Sequence, residues 1–247
     1  MQNHTEHVRE LFDNAEWYLK GWRHSIRIRE ETVRDLIRNR GYKRILDIGC
    51  GDGSISIPLL KPGVRLTLLD ISGSMLANAR HRVPAGLESN VEFVNQDFLE
   101  ASLPVGYDLI LCIGVFAHVG SPSAVVEKIG SLLAPGGCVI AESTDPDHVV
   151  TRISRVYSRV REKLTTPATY QLKALSAEQV TEMFAGQRLE LSAMYRYSLP
   201  LPGMTRVLSE HSLYRLNRML FGRYPNGKNA VLGNELIYQF QRTSEAL

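Results

Sequence analysis

Cysteine is scarce in this chain. There are three among 247 residues, Cys50, Cys112 and Cys138, and none forms a CxxC pair. All three sit in apolar or glycine-rich surroundings, so a disulfide scaffold or a cysteine zinc site does not organise the fold. Buried free thiols in a reducing compartment are expected instead. No apolar run reaches the ~20 residues that span a bilayer. The start, MQNHTEHVRE, lacks the apolar stretch of a signal peptide, and a cytoplasmic location is the expectation. Internal repeats and low-complexity tracts are missing too.

A large charge excess is also missing. The net charge is +3, and 22% charged against 44% hydrophobic residues is ordinary for a globular protein. That small number hides a split. Residues 1–150 hold 15 Lys and Arg against 19 Asp and Glu, whereas residues 151–247 hold 14 against 7. A basic last third suits an anionic small molecule, a membrane surface or nucleic acid; a solvated helix face gives the same composition. The length accommodates one large α/β domain and leaves little room for a second.

What is present is an alternation of strand and helix patterns. Residues 1–40 form a helical N-terminal extension, read as two helices broken near Gly21, the second ended by Gly41. Strands are predicted at 44–49, 64–70, 91–98, 107–115 and 138–144. Helices are predicted at 54–61, 72–83 and 121–133, with Ser72 and Ser121 as N-caps, Pro122 at a first position, and a turn at APGG, 134–137. This spacing means a parallel sheet with helices on both faces, over a core of residues 41–145. Residues 146–233 read as helical insertions around a sixth strand at 189–199. Basic amphipathic helices at 149–164 and 205–224 are placed there as a lid over the ligand crevice, with a capped helix at 176–186. Residues 234–247 hold the closing strand.

The stretch ILDIGCGDGS, 45–54, is a buried strand running into a turn with Gly49, Gly51 and Gly53. A dinucleotide and a sulfonium nucleoside both need a backbone that bare. The dinucleotide fingerprint is GxGxxG with the pyrophosphate on the next helix N-terminus, and Ser54 stands at its third glycine. Asp47 discriminates better. A carboxylate there repels a pyrophosphate and attracts an ammonium. S-adenosylmethionine carries an ammonium and a sulfonium and no phosphate. Asp70 ends the second strand, where a carboxylate accepts from ribose hydroxyls; NAD sites share that device. Asp97 ends the third, where it accepts from an adenine amine, with Phe98 as a wall for the ring.

On LDIGCGDG, LLDISGSML, NQDF, YDLILCIGVFAHV and LLAPGGCVIAES, the chain resembles the class I S-adenosylmethionine-dependent methyltransferases over about residues 40–145. It is most similar to the small-molecule enzymes of quinone and tetrapyrrole biosynthesis and natural-product tailoring. The resemblance implies a Rossmann-like, mostly parallel seven-stranded sheet whose last strand, NELIYQFQR, is antiparallel. It implies that Asp47, Gly49, Cys50 and Gly51 surround the methionine moiety. Asp70 would hold the ribose, with Ile71 and Met75 packing on the adenine side, and Asp97 and Phe98 the adenine. Cys112 and Ile113 would line the sulfonium region. Relatives often add an aromatic and an arginine from the N-terminal helices, and Tyr18, Trp22 and Arg27 are the candidates.

The residues after the fourth strand narrow the chemistry. Enzymes of this superfamily that methylate planar amines usually show Asn/Asp-Pro-Pro-Tyr/Phe there, and this chain has Cys112-Ile113-Gly114-Val115. Base amines and glutamine are disfavoured. His118 is the candidate general base, its ordinary pKa lying near working pH; capping the next helix or bracing the loop is its structural alternative. Quinone O-methyltransferases carry a metal-binding Glu before this His, whereas Phe116 and Ala117 precede it here, so no metal is expected. Tyr157, Tyr170, Tyr195, Tyr197, His211 and Tyr214 are polar-tipped candidates for the substrate side, and Arg155, Arg159, Arg206, Arg215 and Arg218 candidates for an anionic group on it.

The leading expectation is methyl transfer to a hydroxyl of a small molecule held under the helical lid. The alternatives are an RNA or protein methyltransferase, N- or C-methylation of a small molecule, a membrane-associated lipid or quinone enzyme, and a non-catalytic S-adenosylmethionine-binding protein. No appended RNA module is visible, so a nucleic-acid partner is not expected.

Overall fold

Buried β-branched and leucine runs become the strands of one sheet in a computed structural model of the chain. It describes Glu6, Arg9, Phe12 and residues 15–149, 151–153, 173–198, 204–225 and 227–242, and of residues 15–22, 205, 206 and 230 the backbone alone. The strands are β1 (Arg44–Ile48), β2 (Arg65–Asp70), β3 (Val91–Asn95), β4 (Tyr107–Cys112), β5 (Leu133–Thr144), β6 (Leu189–Tyr197) and β7 (Glu235–Arg242). Their spatial order is β3-β2-β1-β4-β5-β7-β6. The pairs from β3 to β5 are parallel, and β7 runs antiparallel between β5 and β6. The strand order reverses between β1 and β4, which opens a crevice at the carboxyl ends of the strands.

Helices cover both faces. On one face α1 (Ala15–Ile37) buries Ile28, Val33 and Leu36, and α2 (Gly73–Arg82) buries Leu76 and Ala79, against Ile45, Leu66 and Leu68. On the other, α3 (Pro122–Leu132) and α4 (Ala177–Ala185) bury Val125, Ile129, Val180 and Phe184 against Leu46, Ile110, Val139 and Phe240. The predicted caps form. Ser72 accepts from the Met75 N–H and Ser121 from the Ala124 N–H, and Ser176 with Gln179 makes a full capping box. No described helix is long and apolar enough to cross a membrane. Phe184 stacks on Phe240 with ring centroids 4.1 Å apart and is fully buried. Phe184→Ala is expected to lower stability by about 3–5 kcal/mol in urea denaturation.

Several boundaries differ from expectation. The N-terminal break near Gly21 does not occur, and α1 runs through it. A mid-helix glycine costs only ~1 kcal/mol relative to alanine, which the buried face of α1 outweighs. The predicted helix at 54–61 is a chain of turns ending in a 3₁₀ turn at Ile57–Leu59, because Pro58 has no N–H to continue it. APGG is a bulge inside β5 rather than a separate turn, since Leu133 pairs with Tyr107 and Cys138 with Leu109. β3 stops at Asn95, so Asp97 and Phe98 lie beyond its end.

The stretch 205–224 splits into α5 (Met204–Val207) and α6 (Glu210–Phe221), because Ser209 caps a new helix by accepting from the Ser212 N–H. α6 docks on α1 rather than over the crevice. Glu31 accepts from Arg218 at 2.6 Å and from the Tyr214 hydroxyl at 2.8 Å, and Asp35 pairs with Arg223 at 2.9 Å. Those charges settle on each other, and no described residue of this segment, expected as part of a lid, lines the cavity at the strand ends. Of the other expected lid helix, residues 154–164 lie outside the described residues.

Candidate cofactor site

The glycine turn is held by the strand beside it. Gly49 and Gly51 have φ of +64° and +54°. A Cβ on Gly49 would lie 2.8 Å from Val115 Cγ2, so both the backbone conformation and the close approach of the β4 end require glycine. The Gly51 N–H donates to Asp70 Oδ2 at 2.8 Å, and the Ser72 N–H donates to Asp70 Oδ1 at 2.9 Å. Asp70 thus ties the turn after β1 to the start of α2. Asn95 adds a second clamp that sequence reasoning missed. Its Nδ2 donates to the carbonyls of Asp70 and Ile71, each at 3.0 Å.

Beyond β3 the chain turns on Asp97, whose Oδ1 accepts from the Leu99 N–H at 2.8 Å. Lys128 reaches over from α3 and donates to the carbonyls of Phe98, Leu99 and Ala101 at 2.6, 3.1 and 2.5 Å. This lysine fixes the loop that presents Asp97, and no local pattern around it announced that role.

These elements enclose a cavity of about 440 Å³. Gly49, Gly51, Asp70, Ile71 and Met75 line one side, Asp97 and Phe98 another, and Ile113, Gly114, Val115 and His118 the side at the end of β4. Phe12 closes against His118, ring centroids 5.0 Å apart and edge-on. The described lining holds three carboxylates, Asp70, Asp97 and Glu100, and neither lysine nor arginine. A pyrophosphate here would meet only like charge, whereas an uncharged nucleoside finds apolar walls and acceptors.

Other predicted residues lie elsewhere. Asp47 is 3% exposed and does not line this cavity. Burial pushes its pKa up to about 7; the nearby Ser56 hydroxyl opposes this, and the charges of Asp70 and Asp52 add to it. No cation pairs with it among the described residues. Cys50 and Cys112 are buried below the cavity surface, because their side chains point into the two cores while their backbones shape the turn and strand end. Burial raises both thiol pKa values, first of all, and makes them poor nucleophiles. Arg27 is turned away: its side chain is 56% exposed, pairs with Glu31 and lies over the Tyr214 ring at 3.9 Å. Arg29, two residues on and about 200° around the helix, points inward instead. Its Nε donates to Glu142 at 2.9 Å. Tyr18 and Trp22 lie on α1 with side chains outside the described residues.

The tyrosines and basic residues expected at the substrate divide similarly. The Tyr195 hydroxyl donates to the Gly222 carbonyl, Tyr214 to Glu31, and Tyr197 to Glu142. His211 and Arg215 are exposed on α6, and Arg218 is engaged with Glu31. Tyr157, Tyr170, Arg155 and Arg159, and the side chain of Arg206, fall outside the described residues.

Residues 46–139 match the family described as "Methyltransferase domain". The chain carries a methyltransferase domain. That stretch runs from β1 into β5 and supplies all of the described cavity lining except Phe12. Over 113 residues the chain is 31% identical to a ubiquinone biosynthesis O-methyltransferase of Azotobacter vinelandii, covering 45% of this chain and 48% of that protein. The protein of the same name from Aeromonas salmonicida is 35% identical over 113 residues, with the same shares. The chain thus spans about half the length of the curated relatives it matches. The fold of the chain matches a solved magnesium protoporphyrin IX methyltransferase from Synechocystis PCC 6803 with bound S-adenosylhomocysteine. That match has a TM-score of 0.68 at 16% identity and covers 97% of this chain and 100% of the other.

Proposed function

We propose that this chain binds S-adenosylmethionine in the cavity at the ends of β1 to β4 and transfers its methyl group to a hydroxyl oxygen of a small molecule. The observation that carries the reading is Asp70. It holds the bare glycine turn through two backbone N–H groups and lines the cavity on the side of that turn, where the ribose would lie. The acids of the described wall, which holds no lysine or arginine, support a phosphate-free nucleoside. A hydroxyl acceptor is supported by the likeness to ubiquinone biosynthesis O-methyltransferases. The cofactor supplies an electrophilic methyl when bound. The chain's own work is to hold the acceptor in line with it and exclude water, which is worth several kcal/mol and up to ~7–11 in ideal cases.

His118 lines the cavity, with Phe12 packed against its ring. It is the group within the described wall best suited to take the hydroxyl proton as the oxygen–methyl bond forms. His118→Gln is expected to lower the single-turnover rate on the order of 10²-fold while S-adenosylhomocysteine binds within about twofold of wild type. An unchanged rate would leave His118 as a wall of the site. The reaction itself is tested with methyl-labelled S-adenosylmethionine and catechol as the probe acceptor. Label recovered as the O-methyl ether supports the reading. Label found only in added RNA or protein, or cofactor bound with no transfer at all, overturns it.

A further inference from the structure

The cavity wall that carries Asp97 and Phe98 is built without a helix. Strands of a parallel sheet are usually joined by a crossover helix, yet β3 and β4 are joined by residues 96–106 with none. A single turn stands in its place. The Asp97 carbonyl accepts from the Glu100 and Ala101 N–H groups at 3.1 and 2.9 Å, and the Asp97 side chain closes the start of the turn through the Leu99 N–H at 2.8 Å. One turn leaves the carbonyls of Phe98, Leu99 and Ala101 with no following turn to donate to them.

Lys128 supplies the missing donors. Its ammonium donates to all three carbonyls, which matches its three N–H groups. It also stands 5.1 Å from the centroid of the Phe98 ring, within cation–π range. The lysine comes from α3, one helical turn beyond Val125, which lines the cavity. Burial lowers its pKa and the Asp97 charge opposes this, so the ammonium and the carboxylate lie within each other's field. A single cation therefore sets where Asp97 and Phe98 are held. Placement decides selectivity for a base here. The exocyclic amine of adenine donates, and the ring nitrogen beside it only accepts. In hypoxanthine the exocyclic group accepts and that ring nitrogen donates. A carboxylate fixed opposite the exocyclic position favours adenine, whereas one on a loose turn can slide and accept from the ring N–H.

We propose that Lys128 is a positioning residue that sets the selectivity of the site for adenine over hypoxanthine, by pinning the turn at residues 97–101. The proposal rests on the cofactor reading above. Lys128 does not touch the ligand; it acts through the carboxylate and the ring that do.

The test is calorimetric titration with S-adenosylhomocysteine and with S-inosylhomocysteine. Wild type is expected to favour the first on the order of 10²-fold, the effect of one charge-assisted hydrogen bond. Lys128→Met, similar in length and without the donors, is expected to cut that ratio about tenfold. Lys128→Arg, a cation with several donors, is expected to keep it within about threefold. A lysine with a merely structural role would weaken both ligands alike and leave the ratio unchanged. Should Lys128→Met not fold, Lys128→Gln, which keeps two N–H donors, carries the test with an expected loss of about threefold. No wild-type preference between the two ligands, or an unchanged ratio in the folded variant, overturns the proposal and leaves the cofactor reading intact. Failure of wild type to bind S-adenosylhomocysteine overturns both.

Discussion

Asp70→Ala is expected to weaken S-adenosylhomocysteine binding on the order of 10³-fold, read by calorimetry beside NAD as a control ligand. Two losses add. The carboxylate is the acceptor offered to the ribose, and charge-assisted hydrogen bonds are worth ~1.5–3 kcal/mol each. The same carboxylate fixes the Gly51 and Ser72 N–H groups at 2.8 and 2.9 Å, so its removal frees the turn that must approach the ligand. Asp70→Asn separates the two. Its amide oxygen can still accept from one backbone N–H, while its NH₂ faces the other donor. It should fall between wild type and alanine. Wild type is expected to bind S-adenosylhomocysteine in the micromolar range and NAD far more weakly, because the described wall has three carboxylates and neither lysine nor arginine for a pyrophosphate. Equal binding of NAD, or an alanine variant that binds like wild type, would sink the nucleoside assignment.

The parts of this site that were legible in the sequence are those set by local chemistry. A glycine turn after an apolar strand, serines ahead of helices and acids near strand ends each act through their nearest neighbours. The missed parts depend on long-range phase. Arginines 23, 27 and 29 all sit on α1, and spacing alone does not say which faces the sheet. Packing of Ile28 and Val33 into the core fixes the phase and turns Arg29 toward Glu142, 113 residues away. The amphipathic pattern of α6 likewise indicates that one face is buried without indicating against what. Its partner, Glu31, is on α1. Asn95 and Lys128 escaped notice for the same reason: each donates to carbonyls that only the fold brings near.

Asp47 gives the second large effect, and its sign can be worked out. Its folded pKa lies at about 7, against an ordinary 3.8, because burial disfavours the charged form. In the unfolded chain it ionises near pH 4. Between about pH 4 and about pH 7 the folded protein binds the extra proton, so the Asp47 contribution to stability falls as pH rises. The gap is worth about 4 kcal/mol. Asp47→Asn is therefore expected to match wild type near pH 4 and to exceed it by up to about 4 kcal/mol at pH 8, in the absence of ligand. Glu235, pushed up to about 8 by burial and then by the Glu142 charge, has the same sign but is present in both proteins, so the difference isolates Asp47. Asp47 stands behind the cavity wall rather than in it, and a ligand ammonium drawn to its charge through the glycine turn would reverse the preference by favouring the carboxylate. S-adenosylhomocysteine should bind wild type about 100-fold more tightly at pH 7 than at pH 5, and then level off, while Asp47→Asn shows no such rise. Parallel pH profiles for the two proteins would mean that the buried carboxylate does not face the ammonium, and the methionine end of the ligand would have to be placed elsewhere along the cavity.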